Sequence, residues 1–261
     1  MSRQTRITSK WIKTKLLEGS AALALHIPAT RRLTAVTLGR MLSKHRMVYI
    51  KPVSGSCGIG VMRVDRAHGK WTVRDGVKRH VFPGYSALFR WIRTRIGREP
   101  YLVQRGIHVL RLGGRPIDYR VMIQKGRKVG WKVTGMAARV ASPRKAVTNG
   151  SQGGSIYEAR GLLRRTAGHS RASKLLSEFD RLAHATARRF DRAYPRIREL
   201  GLDIAVDRSK RSWIIEVNTR PDPCPFTKLP DRSMLRRIVS FARSYGRTYN
   251  LTCLKARRGS R

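Results

Sequence analysis

Acidic residues are scarce in this chain. Fifteen Asp and Glu stand against 57 Lys and Arg, a formal net charge of +42 over 261 residues. Such a field attracts polyanions: nucleic acid, nucleotide, polyglutamate-like polymers or an anionic surface. A solvated basic surface is the plain alternative, because charge alone names no function. Cysteine is also rare. Cys57, Cys224 and Cys253 are widely spaced and form no CxxC pair, which argues against a zinc site and against a disulfide framework. Cys57 reads as a small residue fitted into a loop. Aromatic residues make up only 7% and are scattered. With no RNP-like stretch and no stacking cluster, nucleic acid is expected to bind only non-specifically. No apolar run is long enough to span a bilayer. The N-terminal "AALALHI" is too short for a signal peptide, so a soluble, cytoplasmic chain is expected. Hydrophobic content of 41% is still well above that of a disordered chain.

Internal repeats and regular βαβ alternation are absent too. Helices are expected over 10–25 and 34–45, then a strand over Met47–Lys51. Val61–Asp65 and Lys70–Asp75 read as a hairpin turning near His68-Gly69, and Tyr85–Ile96 as a helix. Strands follow at 101–107, 119–125 and 130–141, then a polar loop. A long helix shows Leu175, Phe179, Leu182, Thr186 and Phe190 on one face. Two short strands, "LDIAVD" and "SWIIEVN", precede a last helix capped by Asp231, with Met234, Ile238, Phe241 and Tyr245 inward. This order predicts an α+β protein of two lobes meeting near residue 100. The expected divisions are 1–46, an N-terminal helical segment; 47–100, a small lobe; 101–250, a large lobe; and 251–261, a basic tail.

Because acids are few, their placement is informative. Four residues, Arg208–Arg211, separate the last two strands. A four-residue hairpin loop pairs Asp207 with Ser212 and sets Asp203 opposite Glu216. Opposed residues share a face, and Asn218 shares it two positions on, while Ile215 and Val217 turn toward a core. Paired carboxylates repel unless neutralised, by an arginine or by a metal. The adjacent Asn favours the metal, since Asp, Glu and Asn form an all-oxygen set suited to Mg²⁺, with Mn²⁺ as a variant.

The second signal is "KPVSGSCGIGV". Gly55, Gly58 and Gly60 follow Lys51 and precede a strand. Glycine lets backbone N–H groups approach phosphate, and Lys51 adds a point charge. The lysine precedes the glycines, which excludes a P-loop, and the strand that follows excludes a dinucleotide fingerprint. The pattern resembles a flap over a triphosphate, and an ordinary Gly-rich hairpin is its rival.

Together the two signals resemble the ATP-grasp superfamily, and more specifically the endospore coat-associated YheC/YheD family. "HIPAT", "YIKPVSGSCGIGVMRV", "YLVQRGI", "DYRVMIQ", "VTGMAARVA", "VTNGSQGG" and "WIIEVNTRP" occur in that family's order. The resemblance implies the ATP-grasp fold, with ATP and Mg²⁺ between two lobes. It implies that Lys51 holds the α/β-phosphates and that Ser54, Gly55, Ser56, Gly58 and Gly60 belong to the flap. Gln104, Arg105, Gly106 and Ile107 would form the hinge, with backbone groups of Arg105 and Ile107 reading adenine. Arg120 would face phosphate, and Asp203, Glu216 and Asn218 would hold the metal. Arg139 and Thr148–Gly154 would lie on the acceptor side, and Arg220 would bind a substrate carboxylate. Lys10 or Lys13 would be a second phosphate lysine. Asp118 would fix Arg120, and surface ion pairs are the rival for Arg120 and Arg139. Typical superfamily members carry an N-terminal α/β domain that helps bind the carboxylate. Only a short stretch precedes the first matching helix here, so most of that pre-grasp domain is expected to be lacking.

Three functions remain open. One is a carboxylate–amine or carboxylate–thiol ligase acting through an acylphosphate, with release of ADP and phosphate. This agrees with the lack of a Cys–His or Ser–His nucleophile signature. The second is a non-catalytic nucleotide-binding component of the spore coat or its assembly. The third is a basic polyanion binder.

Overall fold

In a computed structural model the described residues are 6–55, 58–67, 69–127, 129–142, 154–253 and 256–259. Among them the chain builds two sheets, each backed by helices. The first holds six strands in the order β1-β6-β2-β3-β4-β5. These are β1 (Thr30–Arg32), β2 (Met47–Pro52), β3 (Met62–Ala67), β4 (Lys70–Asp75), β5 (Lys78–Phe82) and β6 (Tyr101–Arg105). Helices α3 (Ala35–His45) and α4 (Tyr85–Ile96) cover it through Leu38, Leu42, Leu88 and Ile92, which meet Val48, Ile50 and Val64 in one core. The start of α3 follows from its sequence: Thr34 and Thr37 form a reciprocal capping box.

The second sheet runs β12-β11-β8-β9-β10-β13 with β7 paired to β8. Its strands are β7 (Arg111–Leu112), β8 (Arg115–Gly126), β9 (Gly130–Val140), β10 (Ser155–Glu158), β11 (Glu199–Val206), β12 (Ser212–Asn218) and β13 (Arg257–Arg258). Helix α5 (Ala159–Ala167) and the 25-residue α6 (His169–Ala193) pack on one face. Leu175, Phe179, Leu182, Thr186 and Phe190 are all buried there, as their helical spacing predicts. On the other face α7 (Ser233–Ser244) packs Ile238 against Met122, Ala137 and Phe226. Asp231 accepts the Ser233 N–H at its start. The α+β class therefore holds, and no helix among the described residues is long and apolar enough to cross a membrane.

Several sequence expectations need correction. The expected helix over 10–25 is broken at Gly19–Ser20 into α1 (Lys10–Glu18) and α2 (Ala21–Ala24). The first 46 residues are not one unit: Leu17 and Leu23 join the core of the second sheet, while β1 and α3 belong to the first. The break between sheets falls after Arg105 rather than at residue 100, because β6 is an inner strand of the first sheet. The segment after 251 contributes β13, parallel to β10. Cys224 and Cys253 form a disulfide with Cα atoms 5.4 Å apart, against the expectation of none. Their separation in sequence gives no signature; the fold brings the C-terminal stretch back onto the 3₁₀ turn Cys224–Lys228. The reading of Cys57 and the hairpin turn at His68 fall outside the described residues.

Candidate functional site

Between the sheets lies a cleft that encloses ≈ 980 Å³ counted out to open solvent. Ile59, Val61, Ile107, Val109, Ile117 and Ala205 give it apolar walls, and Lys10, Lys51 and Arg139 bring charge to it.

The first sheet supplies the lysine. Lys51 is the penultimate residue of β2, beside the glycine loop. Its side chain is 7% exposed, and its Nζ donates to Gln104 Oε1 at 2.8 Å and Ile215 O at 3.4 Å. Gln104 is fixed in turn by donating to Thr30 Oγ1 at 3.0 Å. Burial lowers the Lys51 pKa to about 8; Glu216 opposes the shift, and Lys10 and Lys13 add to it. The glycine loop has the backbone that only glycine adopts freely, with φ of 119° at Gly55, 69° at Gly58 and 72° at Gly60. A Cβ at Gly60 would also lie 2.6 Å from Tyr101 Oη.

The second sheet supplies a checkerboard of charge. Glu216, Asp203 and Arg120 are successive cross-strand partners on β12, β11 and β8. Asp118 pairs across to Arg139 on β9. The predicted Asp203–Glu216 opposition is present, but its turn differs. Val206, not Asp207, pairs with Ser212, and a bulge at Ile215 restores the register. The bulge also re-aims a side chain. Ile215 lines the cleft, while Ile214 and Val217 enter the core, which corrects the expected orientation of Ile215.

Arg120 and Arg139 converge on Asp203 rather than lying on the surface. Arg120 Nε is 2.6 Å from Asp203 Oδ1 and its Nη2 3.3 Å from Oδ2; Arg139 Nη2 is 3.0 Å from Oδ1. Asp118 holds Arg139 through two bonds of 2.6 Å, not Arg120 as expected from the sequence. Burial alone would raise the Asp203 pKa, but Arg120 and Arg139 outweigh it and hold the carboxyl below its ordinary range. Arg139 is likewise kept charged: burial opposes the charge, and Asp118 and Asp203 more than compensate.

The two early lysines are both buried, and the structure separates them. Lys10 lines the main cleft, donates to Gly55 O at 2.7 Å and lies 3.7 Å from Glu216 Oε1. Lys13 lines a small adjoining pocket instead, with its pKa lowered by burial first. At the hinge the Arg105 N–H donates to Ala29 O and the Gly106 N–H to Met47 O. Neither is therefore a donor toward a ligand here, and the Arg105 guanidinium lies 5.0 Å over the Trp213 ring. Ile107 lines the cleft. Ser54 and Arg220 are exposed, and Arg220 does not line the cleft. Ser56, and Thr148 to Gly153 of the expected acceptor loop, lie outside the described residues. Sequence reasoning missed Thr30 and Ile215, for which no local signal exists.

Among the described residues no group of three or more His, Cys, Asp or Glu could hold a metal. The set expected from the sequence, Asp203, Glu216 and Asn218, would suit a hard cation that takes one or two protein carboxylates; Asp203 and Glu216 line the cleft and Asn218 does not. Asp203 Oδ1 meets two arginine donors and Oδ2 one. That leaves about one of the carboxylate's four lone-pair sites. Glu216, half-buried beside Lys10, has more to offer.

A family profile described as YheC/D like ATP-grasp matches residues 3–248. The endospore coat-associated protein YheD of Bacillus subtilis (strain 168) is 27% identical over 219 residues, 82% of this chain and 48% of the relative. The endospore coat-associated protein YheC of the same organism is 23% identical over 220 residues, 82% of this chain and 60% of the relative. The chain thus spans about half the length of the curated relatives it matches. With a two-sheet α+β architecture, a glycine loop and an acidic hairpin meeting at one cleft, the chain belongs to the YheC/D-like ATP-grasp family.

Proposed function

We propose that the cleft binds ATP with Mg²⁺ and activates a carboxylate for attack by an amine or thiol. The observation that carries this is the meeting of Lys51 and Lys10 with Glu216 and Asp203 beneath a glycine loop, in a cleft with apolar walls. The apolar walls suit a flat base. Lys51 and Lys10 suit the charge of a triphosphate, and the glycine backbone suits close approach to it. Glu216, Asn218 and the remaining site on Asp203 are the metal donors. A bound Mg²⁺ would screen phosphate charge and polarise the phosphoryl group. Arg139, which lines the cleft and is held by Asp118 and Asp203, stays charged and placed to neutralise an anion in the transition state, with Arg120 packed behind it on Asp203. In this chemistry a substrate carboxylate oxygen attacks the γ-phosphorus and ADP leaves. The nucleophile then displaces phosphate from the acyl carbon. No protein nucleophile is required.

Steady ADP release that needs both Mg²⁺ and an added carboxylate is the expected result of screening carboxylates in a coupled assay. A second reading is favoured by the double arginine clamp on Asp203 and by the names of the relatives: nucleotide binding without turnover, in a spore-coat or assembly role. It predicts nucleotide binding with no ADP release under any carboxylate.

A further inference from the structure

A second pocket opens beside the cleft and shares Tyr49, Ile107, Val109 and Pro116 with it. It encloses ≈ 670 Å³ counted out to solvent. Tyr49, Arg63 and Arg74 of its lining belong to a row across the first sheet. Gln104, Tyr49, Arg63, Arg74 and Arg79 are successive cross-strand partners on β6, β2, β3, β4 and β5. Directly opposed residues point to one face, and like charges so placed repel. The fold therefore sets Arg63, Arg74 and Arg79 side by side at a cost, in line with the glutamine that holds Lys51. The opposite wall adds Arg111, Arg115 and His108 from the second lobe. Among the described residues one acid answers the row: Asp65, already clamped by Arg63 at 2.6–3.1 Å. Arg74, Arg111 and Arg115 have no carboxylate within 4.0 Å among those residues. The His108 pKa is lowered, by burial first and then by Arg63, Arg208 and Arg111, as a locally positive field requires.

We propose that this arginine-lined pocket binds an acidic peptide chain and leads its carboxylates toward the cleft. Guanidinium groups take carboxylates in a bidentate fork, and a row of them at strand spacing suits a chain with repeated carboxylates. Naming a carboxylate ligand rests on the carboxylate-activating reading of the cleft; the pocket itself does not. Single-stranded nucleic acid is the less suitable occupant. Tyr49 is the one Phe, Tyr or Trp in the lining among the described residues, so successive bases lack a stacking platform.

The test is fluorescence anisotropy with labelled hexaglutamate at about 150 mM KCl, where exposed charges are largely screened beyond their near neighbours. The full chain is compared with Arg74→Gln/Arg115→Gln and with Arg188→Gln/Arg236→Gln. The second pair removes equal charge from exposed positions outside the pocket. The expected result is a loss of about tenfold or more for the pocket pair and less than about twofold for the remote pair. Equal losses in both variants, or no hexaglutamate binding by the wild type, would overturn the proposal. Oligothymidylate or inorganic polyphosphate binding more tightly, with the same sensitivity to the pocket pair, would overturn it as well. The melting shift given by Mg·ATP is read on the same samples. A wild type that lacks that shift but binds hexaglutamate selectively supports the pocket and tells against the reading of the cleft. A pocket variant that keeps the shift is folded, so its lost peptide binding is attributable to the pocket.

Discussion

Two acids that oppose each other in the hairpin have different tasks. Asp203 is buried between Arg120 and Arg139, whereas Glu216 faces the cleft with Lys10 3.7 Å away. Their substitutions should therefore part company. Asp203→Asn leaves the buried Arg120 guanidinium without a carboxylate and is expected to cost about 3 kcal/mol, the lower end for breaking a buried pair, because Asp118 still holds Arg139. That corresponds to a fall of roughly 6–12 °C in Tm. Glu216→Gln should stay within about 1 kcal/mol of the wild type, since its ion pair is long and partly exposed. Thermal melts of both variants without ligand check this. Lys51 makes a pH prediction. Its pKa of about 8 in the fold lies below the 10.5 of an unfolded lysine. The unfolded state then binds more protons between those values, so this group's contribution to stability rises with pH over that window. An anionic ligand favours the protonated lysine. Nucleotide affinity should therefore fall as pH rises above about 8, with proton uptake on binding. Calorimetry in buffers of different ionisation enthalpy reads the uptake directly.

At the scale of elements, legibility followed locality. The α6 face and the Asp203–Glu216 opposition depend on spacing within a short stretch, and both were readable. The Ile215 bulge was not, because an unpaired residue leaves no mark in an apolar strand such as "SWIIEVN". Nor was the exchange of arginine partners. Asp118 and Arg120 are neighbours in sequence, but β8 pairs Asp118 with Arg139 on one side and Arg120 with Asp203 on the other. The Cys224–Cys253 bond is the clearest case of a purely tertiary feature, since 29 residues separate the pair. Closing a loop of that length constrains the unfolded chain by roughly 3.5 kcal/mol in the chain-entropy limit. Cys253→Ser is thus expected to lower Tm by up to about 7–14 °C. It should leave ligand binding intact, since neither cysteine lines the cleft. A variant as stable as the wild type would mean the bond does not form in solution.

For the molecule as a whole, the question is whether its +42 charge or its cleft selects the ligand. Exposed charge binds any polyanion and is screened by salt, whereas Lys51 and Lys10 in the cleft are buried and should be screened much less. The most direct test is the melting temperature with ATP, with and without Mg²⁺, for the wild type and Glu216→Gln in about 300 mM KCl, where surface attraction is weak. Ligand at about 100 times Kd adds roughly 2.7 kcal/mol, a readable shift. The account predicts that wild type shifts with Mg·ATP alone and that Glu216→Gln, itself as stable as wild type, loses the shift. Equal shifts in both proteins, or the same shift with tripolyphosphate and no metal, would contradict it and leave the surface charge as the binder.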